Sequence, residues 1–421
     1  MPTQRGRALL VSSFVLYILS RLGSIGELYV LATACLVFPL VCVASVRWGK
    51  HSLRFDRTIG PRRVFAGHEV RVSVTVHNLA SRRSPPIELD DEAPTVLSGS
   101  MRFPVPSLAS SQQTTVVATR RANARGRYSI GPLRARLVDP FGLAAVTRSV
   151  GDPAVITVYP RVVVLHEQAP PQPRGGGGRS IMHHIASAGD EFYGVREWRD
   201  GDDLRKIHWR STAKRGELMI RQDEVRPFPR ATILIDNRSI EHVESRAGSS
   251  IEYAVSAAAS IVWELGNQGF ALRLATAEAG PSGARWGREA VDPLLSALAT
   301  LERSPVRTFA PAIKRTGGHA GAGGALVALM TPPSTEMIPS LARLRSTYEW
   351  CGVILLDTAS FLGGSPRQRA VADQRIAECD RSLTRAGWRV AVAGASDQIG
   401  SVWQALLASG TSRPSPPSLR S

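Results

Sequence analysis

The hydrophobic pattern changes character three times along the chain. Two uninterrupted apolar runs come first, Ala8–Ser20 extending toward Ile25 and Leu28–Val46, joined by a short link that carries Arg21 and Glu27. Leu28–Val46 has the ~20 residues that a helix needs to cross ~30 Å of hydrocarbon, and membrane helices tolerate a residue such as Pro39. The shorter first run spans if Arg21 snorkels and Leu22–Ile25 contribute. A signal peptide is the competing reading, since Ala32-Thr33-Ala34 resembles a cleavage site. A cleaved product would still begin inside an apolar run, which favours a two-pass helical hairpin over residues 1–50.

From Leu53 to about residue 165 the period becomes two. Val70-Arg71-Val72-Ser73-Val74-Thr75-Val76 alternates apolar and polar as a half-buried strand does. Gln113–Thr119, Arg134–Val138 and Val155–Val158 predict further strands, punctuated by Gly60-Pro61, Ser84-Pro85-Pro86, Gly131-Pro132 and Asp139-Pro140. Short strands at this spacing predict an antiparallel, immunoglobulin-like sandwich. Residues 166–188, with Pro170-Pro171-Gln172-Pro173 and four glycines from Gly175, form a linker.

The third texture covers 230–409, where buried-type strands alternate with helices. Ala231–Asp236, Phe270–Ala275, Ala325–Met330, Gly352–Leu356 and Trp388–Ala393 predict strands; Ser250–Gly266, Arg367–Ala386 and Ile399–Leu407 predict helices. That alternation calls for a parallel sheet with helices on both faces, an α/β domain. Residues 410–421, rich in Pro and Ser, are a tail.

Charge adds orientation. Arg5 and Arg7 precede the first apolar run, and Arg47, Lys50, Arg54 and Arg57 follow the second. Cations at these ends place both flanks, and with them the whole soluble body, on the cytoplasmic side of the cell membrane. The formal net charge is +17, yet Lys stands only at 50, 206, 214 and 314. The excess is Arg, as a GC-rich coding bias produces, and it is no argument for nucleic acid. The four cysteines, Cys35, Cys42, Cys351 and Cys379, have neither zinc spacing nor a disulfide pattern, in keeping with a reducing compartment.

The chemically densest stretch is 189–229. Arg196, Arg199, Arg205, Lys206, Arg210, Lys214 and Arg215 interleave with Asp190, Glu191, Glu197, Asp200, Asp202, Asp203 and Glu217. A nucleic-acid surface would be one-signed. The balance predicts an internal network of bidentate Arg–carboxylate pairs around a packing core of Trp198, Ile207 and Trp209, structural or docking in role. Asp200, Asp202, Asp203 and His208 are the alternative, an acid/base or metal cluster for a membrane-bound hydrolase, but no Ser or Cys has a nucleophile-elbow context. His183-His184 lacks a third ligand. Gly317–Gly324 lacks the Lys-Ser/Thr ending of a phosphate loop.

This stretch resembles the domain of unknown function 58 family. The residues that carry the likeness are Gly194, Arg196, Glu197 and Trp198, then Gly201, Asp202, Asp203, Arg205, Ile207, His208 and Trp209, followed by Ala213, Gly216 and Leu218. Arg125-Gly126-Arg127-Tyr128 with Gly131-Pro132-Leu133, and Asp139-Pro140-Phe141-Gly142-Leu143, fit it too; Trp198 stands where the family often has tyrosine. The resemblance implies a membrane-anchored, non-enzymatic adaptor that pairs a β-domain with a von Willebrand factor A-like domain. It also implies partners: an AAA+ ATPase of the MoxR type and a transglutaminase-like membrane protein, in the assembly or maturation of complexes. No cofactor is implied. A von Willebrand A domain often holds Mg²⁺ through aspartate-x-serine-x-serine after its first strand. Here the stretch reads Asp236-Asn237-Arg238-Ser239-Ile240, with Ser239 off register and Thr276 a weak third ligand. A degenerate site is expected, with Asp236 paired to Arg238 or capping the helix.

Overall fold

A computed structural model describes residues 1–48, 52–97, 101–165, 169–170, 195–198, 207–221, 229–245, 248–318, 324–362 and 366–409. The chain divides into two compact units, Met1–Arg161 with Ser296–Leu301, and the remainder. The expected linker at 166–188, most of the charged stretch and the tail at 410–421 lie largely or wholly outside the described residues.

The first unit opens with α1 (Gln4–Gly23) and α2 (Gly26–Trp48), both long and apolar enough to cross a membrane. Thr3 caps α1 by accepting the Gly6 amide at 3.2 Å, and Ser24 turns the chain at φ 51°. The helices pack together as a hairpin, with the Ser13 hydroxyl donating to the Ala32 carbonyl at 2.7 Å and Tyr17 facing Tyr29.

Ten strands follow: β1 (Leu53–Gly60), β2 (Arg63–Phe65), β3 (Glu69–Asn78), β4 (Ile87–Asp91), β5 (Met101–Val105), β6 (Gln113–Arg121), β7 (Gly126–Ile130), β8 (Leu133–Val138), β9 (Ala145–Val150) and β10 (Ala154–Tyr159). They form three sheets, in the orders β1-β3-β6, β5-β4-β8-β9 and β2-β10-β7. The alternation read at Val70–Val76 is realised in β3, whose Val70, Val72, Val74 and Val76 are fully buried. Val72, Val74 and Val76 meet Ile87 and Leu89 of β4 and Leu133, Ala135 and Leu137 of β8 in one core, and Cys42 and Val46 of the hairpin are part of that core. The wholly antiparallel expectation needs one correction: β2 runs parallel to β10, with Val64 opposite Val158. Residues 66–153 separate the two, so the chain has length enough for the crossover that a parallel pair requires.

In the second unit β11 (Val195–Glu197) and β12 (Met219–Arg221) pair antiparallel around the seven-residue α3 (Trp209–Arg215). The main sheet has β13 (Arg230–Ile235), then, past the small hairpin β14 (Glu244–Ser245) and β15 (Gly248–Ser249), α4 (Ser250–Asn267), β16 (Ala271–Thr276), β17 (Arg285–Trp286), α5 (Gly287–Ala299) and α6 (Ala310–Gly317). It continues with β18 (Ala325–Met330), α7 (Ile338–Thr347), β19 (Trp350–Leu356), α8 (Thr358–Leu362), α9 (Pro366–Arg385), β20 (Arg389–Ala393) and α10 (Ile399–Ala408). The strand order is β17-β16-β13-β18-β19-β20, parallel throughout except for the edge strand β17. One face buries Leu234, Leu326, Ala328 and Leu355 against Phe309 just before α6, Ile313 of α6, Leu341 and Leu344 of α7 and Leu383 of α9. The alternate positions Ile233, Val327, Leu329 and Ile354 are equally buried and face the other layer, where α4 and α10 lie against the strands. Helices thus cover both faces, which is why these strands read as continuous apolar runs.

Candidate functional site

In an open parallel sheet the place for a ligand is outside the carboxyl ends of the strands, where the strand order reverses. Here the order reverses at β13, which has the earlier β16 on one side and the later β18 on the other. Asp236 follows β13, and its amide is held by the Leu329 carbonyl at 2.9 Å. The chain then turns tightly, Glu241 N–H donating to Arg238 C=O at 3.2 Å, and this folds Arg238 back over the strand end. Its guanidinium grips Asp236 with both arms, Nε to Oδ1 at 2.9 Å and Nη2 to Oδ2 at 2.7 Å. Nη1 donates to the Arg307 carbonyl at 2.9 Å, Nη2 lies 3.4 Å from Glu241, and the ring of Phe309 covers the planar group at 5.4 Å. Both partners are almost fully buried. Burial alone would lower the Arg238 pKa, but the bonds and negative charge of Asp236 outweigh it and the net shift is upward.

The neighbours complete the site. Asn237 ties three segments together, accepting from Ala277 N–H at 3.0 Å and donating to Glu302 C=O at 2.8 Å, while its carbonyl accepts from Ser304. Thr331, after β18, donates to Glu241 at 3.2 Å. Ser239 and Ile240 point outward. Thr276 accepts from Ala279 at 3.1 Å and so caps its own turn. Of the ligand set considered from sequence, only Asp236 faces the strand ends, and it is bound to the chain's own cation. Among the described residues no group of three or more His, Cys, Asp or Glu side chains converges.

His242 is a member of the site that sequence reasoning missed, since nothing in its immediate sequence marks it. It is buried between Ser250, whose hydroxyl lies 2.9 Å from Nδ1, and the Asp236 carbonyl, which Nε2 contacts. The carbonyl can only accept, so Nε2 carries the proton and Nδ1 accepts. Burial lowers the pKa of His242 more than the nearby acids raise it. The ordinary value is about 6.5. The unfolded chain therefore takes up this proton first, and the stability His242 confers is complete above about pH 6.5 and lost as pH falls through the lower folded value. Melting temperature should drop between pH 7 and pH 5, with a slope of at most about 1.4 kcal/mol per pH unit from this group. The slope should flatten in His242→Gln; parallel profiles for the two proteins would remove His242 as the cause.

The charged stretch is described only at its ends. Gly194, Gly201, Asp202, Asp203 and Arg205, with Asp200, lie outside the described residues, as do His183 and His184 and the side chain of Arg196. The two ends zip together: Glu197 pairs with Met219, and the Trp198 amide donates to the Leu218 carbonyl at 2.8 Å. His208 is the N-cap of α3, its Nδ1 accepting the Ser211 amide at 3.2 Å. One expectation needs correcting. Trp209 is not in a packing core; it is 68% exposed at the first position of a helix that buries no side chain. Met219, on the strand behind α3, is the buried residue here, while Ile207 and Trp198 are half-buried.

Residues 194–327 match the family described as "Protein of unknown function DUF58". The chain carries the domain of unknown function 58. The matched range starts in the charged stretch and includes the whole Asp236–Arg238 turn, so both candidate sites belong to this domain. No curated protein matches the chain in sequence. Among solved structures it is similar to the CARDB domain of the PF1109 protein from Pyrococcus furiosus, at 16% identity over 26% of this chain and 86% of that one, with a TM-score of 0.19. It is similar also to the complex of Zinc 2-glycoprotein and Prolactin inducible protein from human seminal plasma, at 11% identity over 25% of this chain and 92% of that one, TM-score 0.20. Similarities this slight carry no argument about the domain of unknown function 58.

Proposed function

We propose that the protein is a non-enzymatic adaptor, anchored in the cell membrane by α1 and α2, whose α/β domain binds a protein partner. The observation that carries this reading is the buried Arg238–Asp236 pair at the switch point. A catalytic or metal-dependent domain keeps that position open for its ligand; here a guanidinium takes up both carboxylate oxygens. The open parallel sheet with an aspartate at the end of its first strand supports a von Willebrand A-like reading of the domain, and the core shared by β3, β4 and β8 supports an immunoglobulin-like reading of the β-domain. By family resemblance the partner is an AAA+ ATPase of the MoxR type, with a transglutaminase-like membrane protein as a second. Affinity purification of the tagged protein from its native membranes tests this: such an ATPase should co-purify. Its absence, together with esterase or peptidase turnover by the pure protein, would replace the reading.

That second reading, a hydrolase centred on Asp200–His208, has one observation in its favour: the Ser211 hydroxyl lies 2.8 Å from Nδ1 of His208. The same nitrogen accepts the Ser211 amide, and this bond occupies the lone pair a general base would use. Turnover abolished by Ser211→Ala would favour it.

Metal independence follows from the same pair. A ligand that binds only the folded state stabilises it by RT ln(1 + [L]/Kd). Millimolar Mg²⁺ or Mn²⁺ should give the detergent-solubilised protein no rise in melting temperature beyond that of added salt. A saturable, chelator-reversible rise, lost in Asp236→Ala, would show that metal displaces Arg238.

The cationic flanks of the hairpin support a body on the cytoplasmic side. A reporter fused after Ser421 should fluoresce as a cytoplasmic green fluorescent protein and be silent as alkaline phosphatase; the opposite pattern would invert the topology.

A further inference from the structure

The loop Asp139–Ala144, between β8 and β9, is bound to the hairpin at the start of α1 and partway along α2. Thr3 N–H donates to the Leu143 carbonyl at 2.9 Å and the Thr3 hydroxyl to the Gly142 carbonyl at 2.6 Å. Gly6 packs so closely on Leu143 that a Cβ there would collide with its carbonyl oxygen. Phe141 lies edge-on to Phe38 of α2, with ring centroids 4.9 Å apart. Asp139 holds the loop in this shape by accepting the Phe141 amide at 2.9 Å and the Ala144 amide. Leu9, Cys42, Val43 and Val46 of the helices join the core of the β-domain, so the domain cannot ride up and down relative to the hairpin.

These contacts fix a length. From Phe38 to the start of α2 at Gly26 is about 18 Å at 1.5 Å per residue, and from Gly6 to the end of α1 at Gly23 is about 26 Å. Hydrocarbon is ~30 Å thick. If the tip at Ser24 reaches the far interface, the loop that touches Phe38 and Gly6 lies within the near edge of the hydrocarbon. The surface chemistry fits that depth. Phe141 is 61% exposed although it is aromatic and apolar, and Trp48 is 80% exposed. Arg5 and Arg7 on α1 and Arg47 on α2 are exposed as well, and Arg5 reaches over Gly142. An open groove of about 630 Å³ runs along α2, lined by Val37, Leu40, Val41 and Ala44 and ending at Arg47 and Trp48. An open apolar surface that ends in a cation and an indole suits an acyl chain below an anionic headgroup.

We infer that the β-domain is seated in the bilayer interface, with Phe141 among the acyl chains and Arg5, Arg7 and Arg47 among anionic headgroups. This rests on the reading of α1 and α2 as membrane helices. The test places a photoreactive phenylalanine analogue singly at positions 141, 15 and 371 of the full chain, in vesicles of phosphatidylethanolamine and phosphatidylglycerol. All three side chains are exposed, Val15 on α1 and Val371 on α9, so none disturbs a core. After illumination, lipid adducts are read by mass. Positions 15 and 141 should both form adducts at least about tenfold above position 371, as acyl-chain contact requires. Adducts at 15 with only background at 141 would overturn the inference and leave the hairpin in the membrane. Background at all three would remove the membrane reading itself and the inference with it.

Discussion

Arg238→Ala should be among the most damaging single substitutions in the α/β domain, lowering its stability by about 3–5 kcal/mol. The cause is the group left behind. Asp236 is 1% exposed and has both oxygens committed to Arg238, so truncation strands a carboxylate where water cannot replace the guanidinium. Arg307 C=O and Glu241 lose a donor at the same time. Asp236→Ala should be damaging for the mirror-image reason. The double variant removes both charges and should cost clearly less than the sum of the two, a coupling that a thermal or denaturant double-mutant cycle reads directly. Additive losses would mean that the two side chains act independently, and the case for a built-in cation at the switch point would fall with them.

The second large effect is expected in the β-domain. Arg57 on β1 reaches across to Asp91 on β4, a strand of a different sheet, with Nη2 at 2.8 and 2.7 Å from the two oxygens. Asp91 is fully buried and Arg57 nearly so. Arg57→Ala should destabilise the domain by about 3–5 kcal/mol near neutral pH. Its pH dependence has a definite sign. Burial pushes the Asp91 carboxyl up, Arg57 pulls it down, and the net shift is already upward. Without Arg57 the folded pKa rises further, so the folded variant binds a proton that the unfolded chain gives up. The stability Asp91 contributes is then present below the unfolded value and lost as pH rises through the folded one. The deficit of Arg57→Ala should therefore shrink as pH is lowered from 7 toward 4. A pH-independent deficit would show that packing, and not the stranded carboxylate, is responsible.

Periodicity made the elements with buried faces legible. Ala325–Met330 is bounded as the sequence indicated, and α4, α9 and α10 differ by a residue or so at their ends, because long apolar stripes between glycines leave little choice. β1, β4, β5, β7 and β9 escaped notice. β1 reads Leu-Arg-Phe-Asp-Arg-Thr-Ile-Gly and is only half-buried on its inner face, so its alternation is diluted by charge. α5 and α6 were missed because Pro293 and Pro311 argue against helix, although Pro311 sits in a first turn, where it costs nothing. At the site, Asp236 and Arg238 could be named from the strand end and the pattern that the family resemblance implied. Thr331 and the Arg307 carbonyl could not, because the fold brings them to Glu241 and Arg238 across 90 and 69 residues; His242 is only six residues from Asp236, but nothing in its sequence context marks it. Trp209 was misplaced for a different reason: an aromatic in a dense motif suggests a core, but a helix of seven residues has no second layer to bury it.

The contact between Thr3 and the loop at Gly142–Leu143 closes a circuit of about 140 residues. During synthesis α1 and α2 are complete long before residue 142 exists, so the first turn of α1 waits without its partner until then. Closing so long a loop is entropically unfavourable, and contacts of this separation slow folding more than they add stability. The circuit can close only after β8 has been made. The helical hairpin, made first, is then present as a surface against which the β-domain packs its core.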